Sequence, residues 1–263
     1  MARSLVFAGI GLFVVCAAAV SQAEVVPLAK RNPLKVLFFP QDRPEFFSVD
    51  GKEPGFEREI LEGFAKAQKL QMEIVAVAKW DALIPDLAEG HGDVIAGHFT
   101  DTEERRTQVD FTNGVLPTRI VIINRRPNAA VLTLKQLQNE KIGAVKGTAA
   151  FEELVAAGVP RTKIDDSVTF ENMLESLRAG KVTALARSVP LAVLSQRDDP
   201  EIQIGMFVGG GSQFAFGVRK GDSTLREALN EHIALLSKTG QWNRLVVKYF
   251  GPAAVDIMRK AQQ

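Results

Sequence analysis

Cysteine is almost absent from this chain, which contains one in 263 residues. A single thiol excludes a disulfide scaffold and a zinc site built from several cysteines. The chain also lacks an excess of either charge, since 32 basic side chains are matched by 31 acidic ones. A nucleic-acid surface needs clustered Lys and Arg, so we expect none. The 46% hydrophobic content disfavours disorder. The length of 263 residues predicts one large domain or two small ones.

The first 23 residues have the pattern of a signal peptide. Arg3 is the only charged side chain before Glu24, and an almost unbroken apolar run covers residues 5–20. Ser21 and Ala23 are the small residues that signal peptidase requires, so we predict cleavage after Ala23 and an exported protein. The alternative is an uncleaved anchor, for which the run is short. Loss of 1–23 removes one base and no acid, leaving 31 of each and no cysteine.

Short apolar segments alternate with segments of helical periodicity along the predicted mature chain. The first half predicts strands over 34–39, 72–78 and 93–96 and helices over 56–70 and 80–89. The second half predicts strands over 142–145 and 182–186, helices over 149–157 and 171–179, and closing helices over 223–238 and 241–249. Extended crossovers at 119–124 and 213–218 join the halves. The alternation indicates mostly parallel sheets, where ligands collect at the carboxyl ends of strands.

Several motifs occur together in a specific order. They are DGK at 50–52, GFE at 55–57, WDALIP at 80–85, TEERR at 102–106, VDFT at 109–112, FGVRKGD at 216–222, and TG at 239–240 with KYFG at 248–251. With these motifs, residues 34–251 resemble the polar amino-acid-binding family of ABC-importer solute-binding proteins, also called bacterial extracellular solute-binding protein family 3. The resemblance implies an α/β, two-lobe type II periplasmic-binding-protein fold with two hinge crossovers. Residues 24–122 and 215–263 then form one lobe and 123–214 the other.

The resemblance also implies a function. Family members are periplasmic proteins that capture a small anionic or zwitterionic solute between two lobes and deliver it to the membrane permease of an ABC importer. We therefore expect a monomer in the periplasm that binds without catalysis, cofactor, metal or nucleic acid. Two alternatives remain: a cyclohexadienyl (prephenate-type) dehydratase on the same fold, and an accessory protein that reports its ligand state to a partner.

The resemblance assigns an anchor for the ligand carboxylate to Arg105. A guanidinium gives a carboxylate two charge-assisted hydrogen bonds in a dry cleft. The alternative is an exposed arginine on a surface helix. Gly147 and Thr148 stand where a predicted strand turns into a helix, and a helix N-terminus suits an anion. Thr148 is equally suited to cap that helix, and both roles can hold together.

Other candidate ligand contacts precede Arg105. Thr100 and His98 match backbone or hydroxyl-contributing positions, although His98 stands where the family usually has a small or hydroxylic residue, and it could simply end a strand. Trp80 could stack on the ligand or pack in the core. Phe47 belongs to the loop that normally supplies an aromatic lid, together with Arg43 and Phe46, and the sequence does not decide which of the three points inward.

The main departure from the family pattern lies after the strand at 182–186. Amino-acid binders place an Asp there for the ligand ammonium, whereas this chain has Ser188, preceded by Arg187, and no acid over 181–196. A buried ammonium without a carboxylate is costly. The ligand then lacks an α-amino group or carries a second anionic group that Arg187 meets. Alternatively, Arg187 points to solvent and Asp42, Glu45 or Asp101 takes the ammonium.

Other chemistries find little support in the sequence. The three histidines lack metal-ligand spacing, and no G-x-S-x-G nucleophile motif occurs. A dehydratase needs a proton donor for the leaving hydroxyl, yet residues 187–194 contain no carboxylate. The glycines at 209–211 lack the Lys-Ser/Thr of a phosphate loop, and we predict that they let the second crossover bend.

Overall fold

The computed structural model describes residues 27–40, 43–50 and 52–261. The predicted signal peptide, residues 1–23, lies outside these described residues, as does Asp42. Within the described part, none of the helices combines the length and the apolar character needed to cross a membrane.

Ten strands and ten α-helices follow one another in the described chain. The strands are β1 (Leu34–Phe38), β2 (Met72–Ala76), β3 (Val94–Ala96), β4 (Val109–Phe111), β5 (Leu116–Arg125), β6 (Ile142–Gly143), β7 (Ile164–Asp165), β8 (Ala184–Ser188), β9 (Ile202–Phe214) and β10 (Gly217–Arg219). The helices are α1 (Phe56–Ala67), α2 (Leu83–Ala88), α3 (Glu103–Arg106), α4 (Leu134–Leu137), α5 (Ala149–Ala156), α6 (Met173–Arg178), α7 (Val189–Asp198), α8 (Ser223–Lys238), α9 (Gln241–Phe250) and α10 (Pro252–Ala261).

The strands form two sheets, and each sheet with its helices is called a lobe below. The first lobe has the strand order β2-β1-β3-β10-β4, with β2, β1 and β3 parallel and β10 antiparallel to both neighbours. The second lobe has the order β7-β6-β8-β5-β9, with β5 antiparallel to β8 and β9. The α/β two-lobe architecture predicted from the sequence is confirmed.

Helix α1 shows how the apolar pattern produces the core of the first lobe. Phe56, Ile60, Leu61 and Phe64 are buried, as the spacing predicts. The helix ends at Ala67, earlier than the predicted residue 70, because Lys69 adopts a left-handed backbone with φ of 59° and turns the chain into β2.

Helices α7 and α10, each ten residues long, were not predicted, and neither were the four-residue helices α3 and α4; α7 shows the reason. Its residues 189–195 are all buried, so no polar side recurs to reveal a helical period. Pro190 also discourages the assignment, but it lies in the first turn, where proline is tolerated. Helix α10 contacts α9, α7 and β5, so it packs on elements of both lobes.

The two crossovers are longer and more regular than the sequence predicts. β5 and β9 pair along most of their lengths, and the predicted segment 213–218 is divided, because β9 ends in one sheet before β10 begins in the other. Thr118 of β5 pairs with Ser212 of β9, but Ile120 pairs with Val208. The glycines at 209–211 therefore form a bulge inside β9, opposite Arg119. They belong to a paired strand that Arg119 holds through a 2.8 Å hydrogen bond from Nε to the Gly209 carbonyl.

Candidate functional site

A cavity lies between the two lobes and contains most of the residues predicted for the site. Its polar lining comes from the ends of β3 and β8, from α3 and from the start of α5. Its apolar lining comes from both crossovers and from α6 and α7. The lining residues are Trp80, His98, Thr100, Arg105, Ile120, Val145, Thr148, Ala149, Ala150, Phe170, Met173, Ala186, Arg187, Ser188, Leu191 and Phe214.

Arg105 is held at the boundary between the lobes. Thr102 caps the short helix α3 by accepting the Arg105 backbone N–H, which turns the side chain inward to 9% exposure. The guanidinium donates to the Thr100 carbonyl at 2.9 Å and, across the lobes, to the Gly147 carbonyl at 3.4 Å. It also lies 4.6 Å from the centroid of the Phe99 ring. The exposed-arginine alternative is therefore wrong, and burial lowers the pKa of Arg105 to about 10.

The turn at Gly147 and Thr148 brings a helix N-terminus to the cavity. Gly147 has a φ of 76°, which a side chain would strain, and this places Thr148 as the N-cap of α5. The Thr148 hydroxyl accepts from the Phe151 N–H at 3.4 Å and donates to the Val145 carbonyl at 2.7 Å. The first N–H groups of a helix have no partner within it, so those of Ala149 and Ala150 can serve an anion in the cavity.

Arg187 is buried at the end of β8, with 5% exposure, so the alternative that it points to solvent is wrong. Its Nη1 donates to the Ser195 hydroxyl at 2.6 Å, and its Nε makes no hydrogen bond to any described residue. Burial and then the charge of Arg43 lower the pKa of Arg187 to about 9, against the opposing charge of Asp198. The neighbouring Ser188 hydroxyl is also buried, and no described residue hydrogen-bonds to it.

His98 and Trp80 form one wall of the cavity. His98 lies two residues beyond β3 in a left-handed conformation, with φ of 49°. Its ring stacks on Trp80 with centroids 5.7 Å apart and planes inclined by 18°. Burial, together with the charges of Arg187 and Arg105, lowers the pKa of His98 to about 3. The wall therefore carries a neutral imidazole, and the alternative that His98 merely ends a strand does not describe its position.

The aromatic lid predicted from Phe47 is absent from the described lining. Phe47 is 2% exposed and stacks on Phe38 with centroids 4.6 Å apart, because both rings fill the core of the first lobe. Phe46 is also buried, and its ring packs against those of His98, Phe214 and Phe250. The aromatic rings in the lining are instead those of Trp80, Phe214 and Phe170, and Phe170 belongs to the second lobe.

Phe170 was missed by the sequence analysis. Its ring lies 5.7 Å from that of Trp80 and 6.1 Å from that of Phe39, so it completes an aromatic cluster across the two lobes. It occupies the loop before α6, where no periodicity distinguishes it. An aromatic residue directly before a predicted helix was the one available signal.

Glu45 and Asp101, the two described acids among the three considered for a ligand ammonium, do not line the cavity. Asp42 lies outside the described residues. Glu45 forms an ion pair with Arg197 at 2.5 Å, and Asp101 forms one with Arg106. Within the described part of the chain, the cavity lining contains two arginines and no carboxylate.

A groove adjoins the cavity and shares Trp80, Arg105, Thr148 and Ala149 with it. Its lining includes Gly147 and carboxylates from both lobes. Arg105 thus contributes to both spaces, and the character of the lining changes from basic to acidic between them. The groove carboxylates are Asp81, Glu104, Glu152 and Glu153.

One group of side chains has the composition of a metal site. The possible ligand atoms of Asp86, Glu89 and His91 lie within 4.8 Å of one another at the surface of the first lobe. His91 Nδ1 is 3.3 Å from an Asp86 carboxylate oxygen, so the two side chains already satisfy each other. This group lies outside the cavity lining.

A family model described as bacterial extracellular solute-binding proteins, family 3, matches residues 34–252, and the chain belongs to this family. It shares the type II periplasmic-binding fold. A solved structure of an ancestral arginine-binding protein bound to glutamine superposes with a TM-score of 0.71 and 28% identity, covering 84% of this chain and 99% of the other.

Two relatives illustrate the range of proteins whose sequences are similar to this chain. The probable histidine-binding protein of Campylobacter jejuni is 29% identical over 219 residues, which are 82% of this chain and 84% of the relative. The membrane-bound lytic murein transglycosylase F of Desulfosudis oleivorans is 27% identical over 206 residues. Those residues are 77% of this chain but only 45% of that enzyme.

Proposed function

We propose that this protein is an exported solute-binding protein that captures a small carboxylate-bearing solute between its lobes and delivers it to an ABC-type permease. Family membership supports the binding role, and the signal-peptide pattern supports export to the periplasm. The solute is an amino acid or a related organic acid. The protein acts as a monomer and binds its ligand without turnover.

The position of Arg105 carries this proposal. Its guanidinium lies in the cavity with carbonyl contacts to both lobes, at Thr100 and Gly147. A ligand carboxylate bound to this guanidinium is also close to the N-terminus of α5, so one anionic group contacts both lobes. A ligand stabilises the closed arrangement only through interactions that the open arrangement lacks.

The crossovers supply the means of closure. β5 and β9 are the two strands through which the chain passes between the lobes, and rotation about such connections is a common way of enclosing a ligand. Ion pairs that join the lobes, such as Glu45 with Arg197, form together with the enclosed cavity. We propose that the permease recognises this closed form.

The experiment uses the mature protein, residues 24–263, in thermal-shift and calorimetric titrations with amino acids and amine-free organic acids. A ligand at about 1,000 times its dissociation constant adds about 4 kcal/mol of stability. Arg105→Ala should abolish binding and leave the fold intact. Arg106→Ala, which removes an exposed arginine of the same helix, is the control. Binding that survives Arg105→Ala contradicts the anchor.

The dehydratase alternative can be tested in parallel. The described cavity lining supplies no carboxyl group to protonate a leaving hydroxyl. We expect prephenate incubated with the protein to be recovered unchanged beyond its spontaneous decay. Enzyme-dependent loss of prephenate would contradict a binding role without turnover.

A further inference from the structure

Two guanidinium groups share the cavity between the lobes, and they differ in what holds them. Arg105 donates to two backbone carbonyls, whereas the one hydrogen-bond partner of Arg187 among the described residues is a neutral hydroxyl on Ser195. That hydroxyl is itself engaged, because it donates to the Leu191 carbonyl at 2.7 Å. Neither arginine forms an ion pair with a described residue.

Such an arrangement is unfavourable when the cavity is empty. A buried charge is normally paired, and two buried like charges repel each other in a medium of low dielectric constant. The nearest acid whose charge favours ionised Arg187 is Asp198, and its carboxylate is paired with Arg43 at 2.9 Å and with Arg197. Arg187 therefore lacks the paired carboxylate that usually neutralises a buried arginine, as far as the described residues are concerned.

The polar atoms around Arg187 form a site suited to an anion. The Arg187 Nε and the Ser188 hydroxyl are both buried, lie on consecutive residues of the lining, and lack hydrogen-bond partners among the described residues. A carboxylate can accept hydrogen bonds from both groups and neutralise the guanidinium at the same time. A ligand ammonium at this place would be repelled and would leave the Nε unsatisfied.

Much of the remaining lining of the cavity that holds the two arginines is apolar. Ile120, Val145, Ala186, Leu191 and Phe214 contribute hydrocarbon and aromatic surface to the same cavity. A ligand that reaches both arginines therefore needs a short apolar connection between its charged ends.

We propose that Arg187 and Ser188 form a second anion subsite, and that the ligand is a small dicarboxylic acid without an amino group. One carboxylate binds at Arg105 and the N-terminus of α5, and the other binds at Arg187 and Ser188. This inference rests on the proposed function, since it names the ligand class of the same cavity.

The test compares acids of equal chain length by calorimetry on the mature protein. Succinate, glutarate and adipate are titrated against butyrate, valerate and hexanoate, with aspartate and glutamate as the amino counterparts. Hydrogen bonds to a charged group contribute strongly to binding. We therefore expect the best dicarboxylate to bind about 10- to 100-fold more tightly than the monocarboxylate of the same chain length. It should also bind more tightly than its amino counterpart.

Variants separate the two subsites. Arg187→Met should reduce dicarboxylate affinity about 10- to 100-fold and monocarboxylate affinity much less, whereas Arg105→Gln should reduce both strongly. Ser188→Ala, a smaller change, should reduce only dicarboxylate affinity. Because Arg187→Met removes an uncompensated buried charge, the melting midpoint of its ligand-free form should rise by about 2 °C or more. A midpoint that falls instead would show that Arg187 has a structural role.

The outcomes distinguish this inference from the function on which it rests. Equal affinity for mono- and dicarboxylates, or no effect of Arg187→Met on their ratio, overturns the second subsite and leaves a carboxylate-binding protein. Tighter binding of aspartate or glutamate does the same and directs attention to the acidic groove for the ammonium. Absence of binding for every acid tested overturns both.

Discussion

Glu57 accepts a hydrogen bond from the backbone N–H of His98 at 2.7 Å, and its other oxygen accepts the N–H of Gly97 at the same distance. A fully buried carboxyl group of α1 therefore holds the chain that leaves β3, including the left-handed residue on the cavity wall. The first lobe thus shapes the site through a residue that does not line it.

This contact predicts a specific dependence of stability on pH. Burial raises the pKa of Glu57 from 4.5 to about 7, so its contribution is complete below pH 4.5 and is lost as the pH rises to 7. Burial lowers the pKa of His98 from 6.5 to about 3, so its contribution is complete above pH 6.5 and is lost as the pH falls to 3. Between pH 4.5 and 6.5 the two effects oppose each other.

Glu57→Gln should remove the pH-dependent contribution of Glu57 to stability and keep that of His98. Relative to the wild type, the unfolding free energy of this variant should rise with pH between 4.5 and 6.5, by up to about 1.4 kcal/mol per pH unit. Urea unfolding at several pH values measures the difference. Glu62→Gln, at a more exposed position of the same helix, is the control, and a curve for Glu57→Gln parallel to that of the wild type would refute the assignment.

A second prediction concerns the turn at Gly147. A side chain at φ of 76° is strained, so Gly147→Ala should cost roughly 1–2 kcal/mol of stability and displace the carbonyl that Arg105 contacts. Gly158→Ala, at φ of 82° after the far end of α5, should cost a similar amount. Only the first variant should also lose ligand affinity by calorimetry, and equal affinity in both would show that the Gly147 carbonyl has no part in the site.

A third prediction follows from Ser188, which precedes α7 without capping it. Ser188→Asp adds a carboxylate beside Arg187, so the protein no longer needs a second anion from its ligand. The ratio of glutarate to glutamate affinity should fall at least about tenfold. Ser188→Asn adds similar volume without charge and should leave the ratio near that of the wild type. If the Ser188→Asp variant binds none of the amino acids tested, Ser188 does not stand at the position where the family places the Asp that binds the ligand ammonium.

A fourth prediction concerns the ion pair between Arg197 and Glu45, which joins the lobes. Arg197→Ala should weaken ligand binding by up to about 1 kcal/mol, mainly through faster dissociation, and should reduce the effect of added NaCl on affinity. Arg178→Ala removes an ion pair with Asp199 inside the second lobe and is the matched control. Similar dissociation rates in the two variants would contradict a role in closure.

The sequence was most informative where spacing or a motif was decisive. Helix α8 was predicted with its observed bounds because its apolar residues recur at helical spacing, and the structure shows that Asp222 caps its start. Of the nine candidate site residues, eight line the cavity or the adjoining groove, and Phe47 does not. Their roles in binding remain predictions, because position in a lining is not contact with a ligand.

The remaining features depend on packing between distant parts of the chain. Phe47 and Phe170 are equivalent as sequence signals, and only the assembled lobes decide that the first ring fills a core and the second enters the cavity. Arg187 is the penultimate residue of β8, where strand alternation alone does not determine whether its side chain meets solvent or the other lobe. Helix α7 was not predicted because its residues 189–195 are all buried, which leaves no alternation of polar and apolar residues to show a helical period.

Helix α10 follows α9 along the chain, yet it packs on α7 and β5 of the second lobe, where Ala254 and Met258 are buried. If the lobes rotate apart, this helix has to travel with one of them and slide across the other. A fluorophore attached near residue 256 would then report each capture and release as a change in its surroundings. A domain fused after α10 would consequently hinder this relative movement of the lobes.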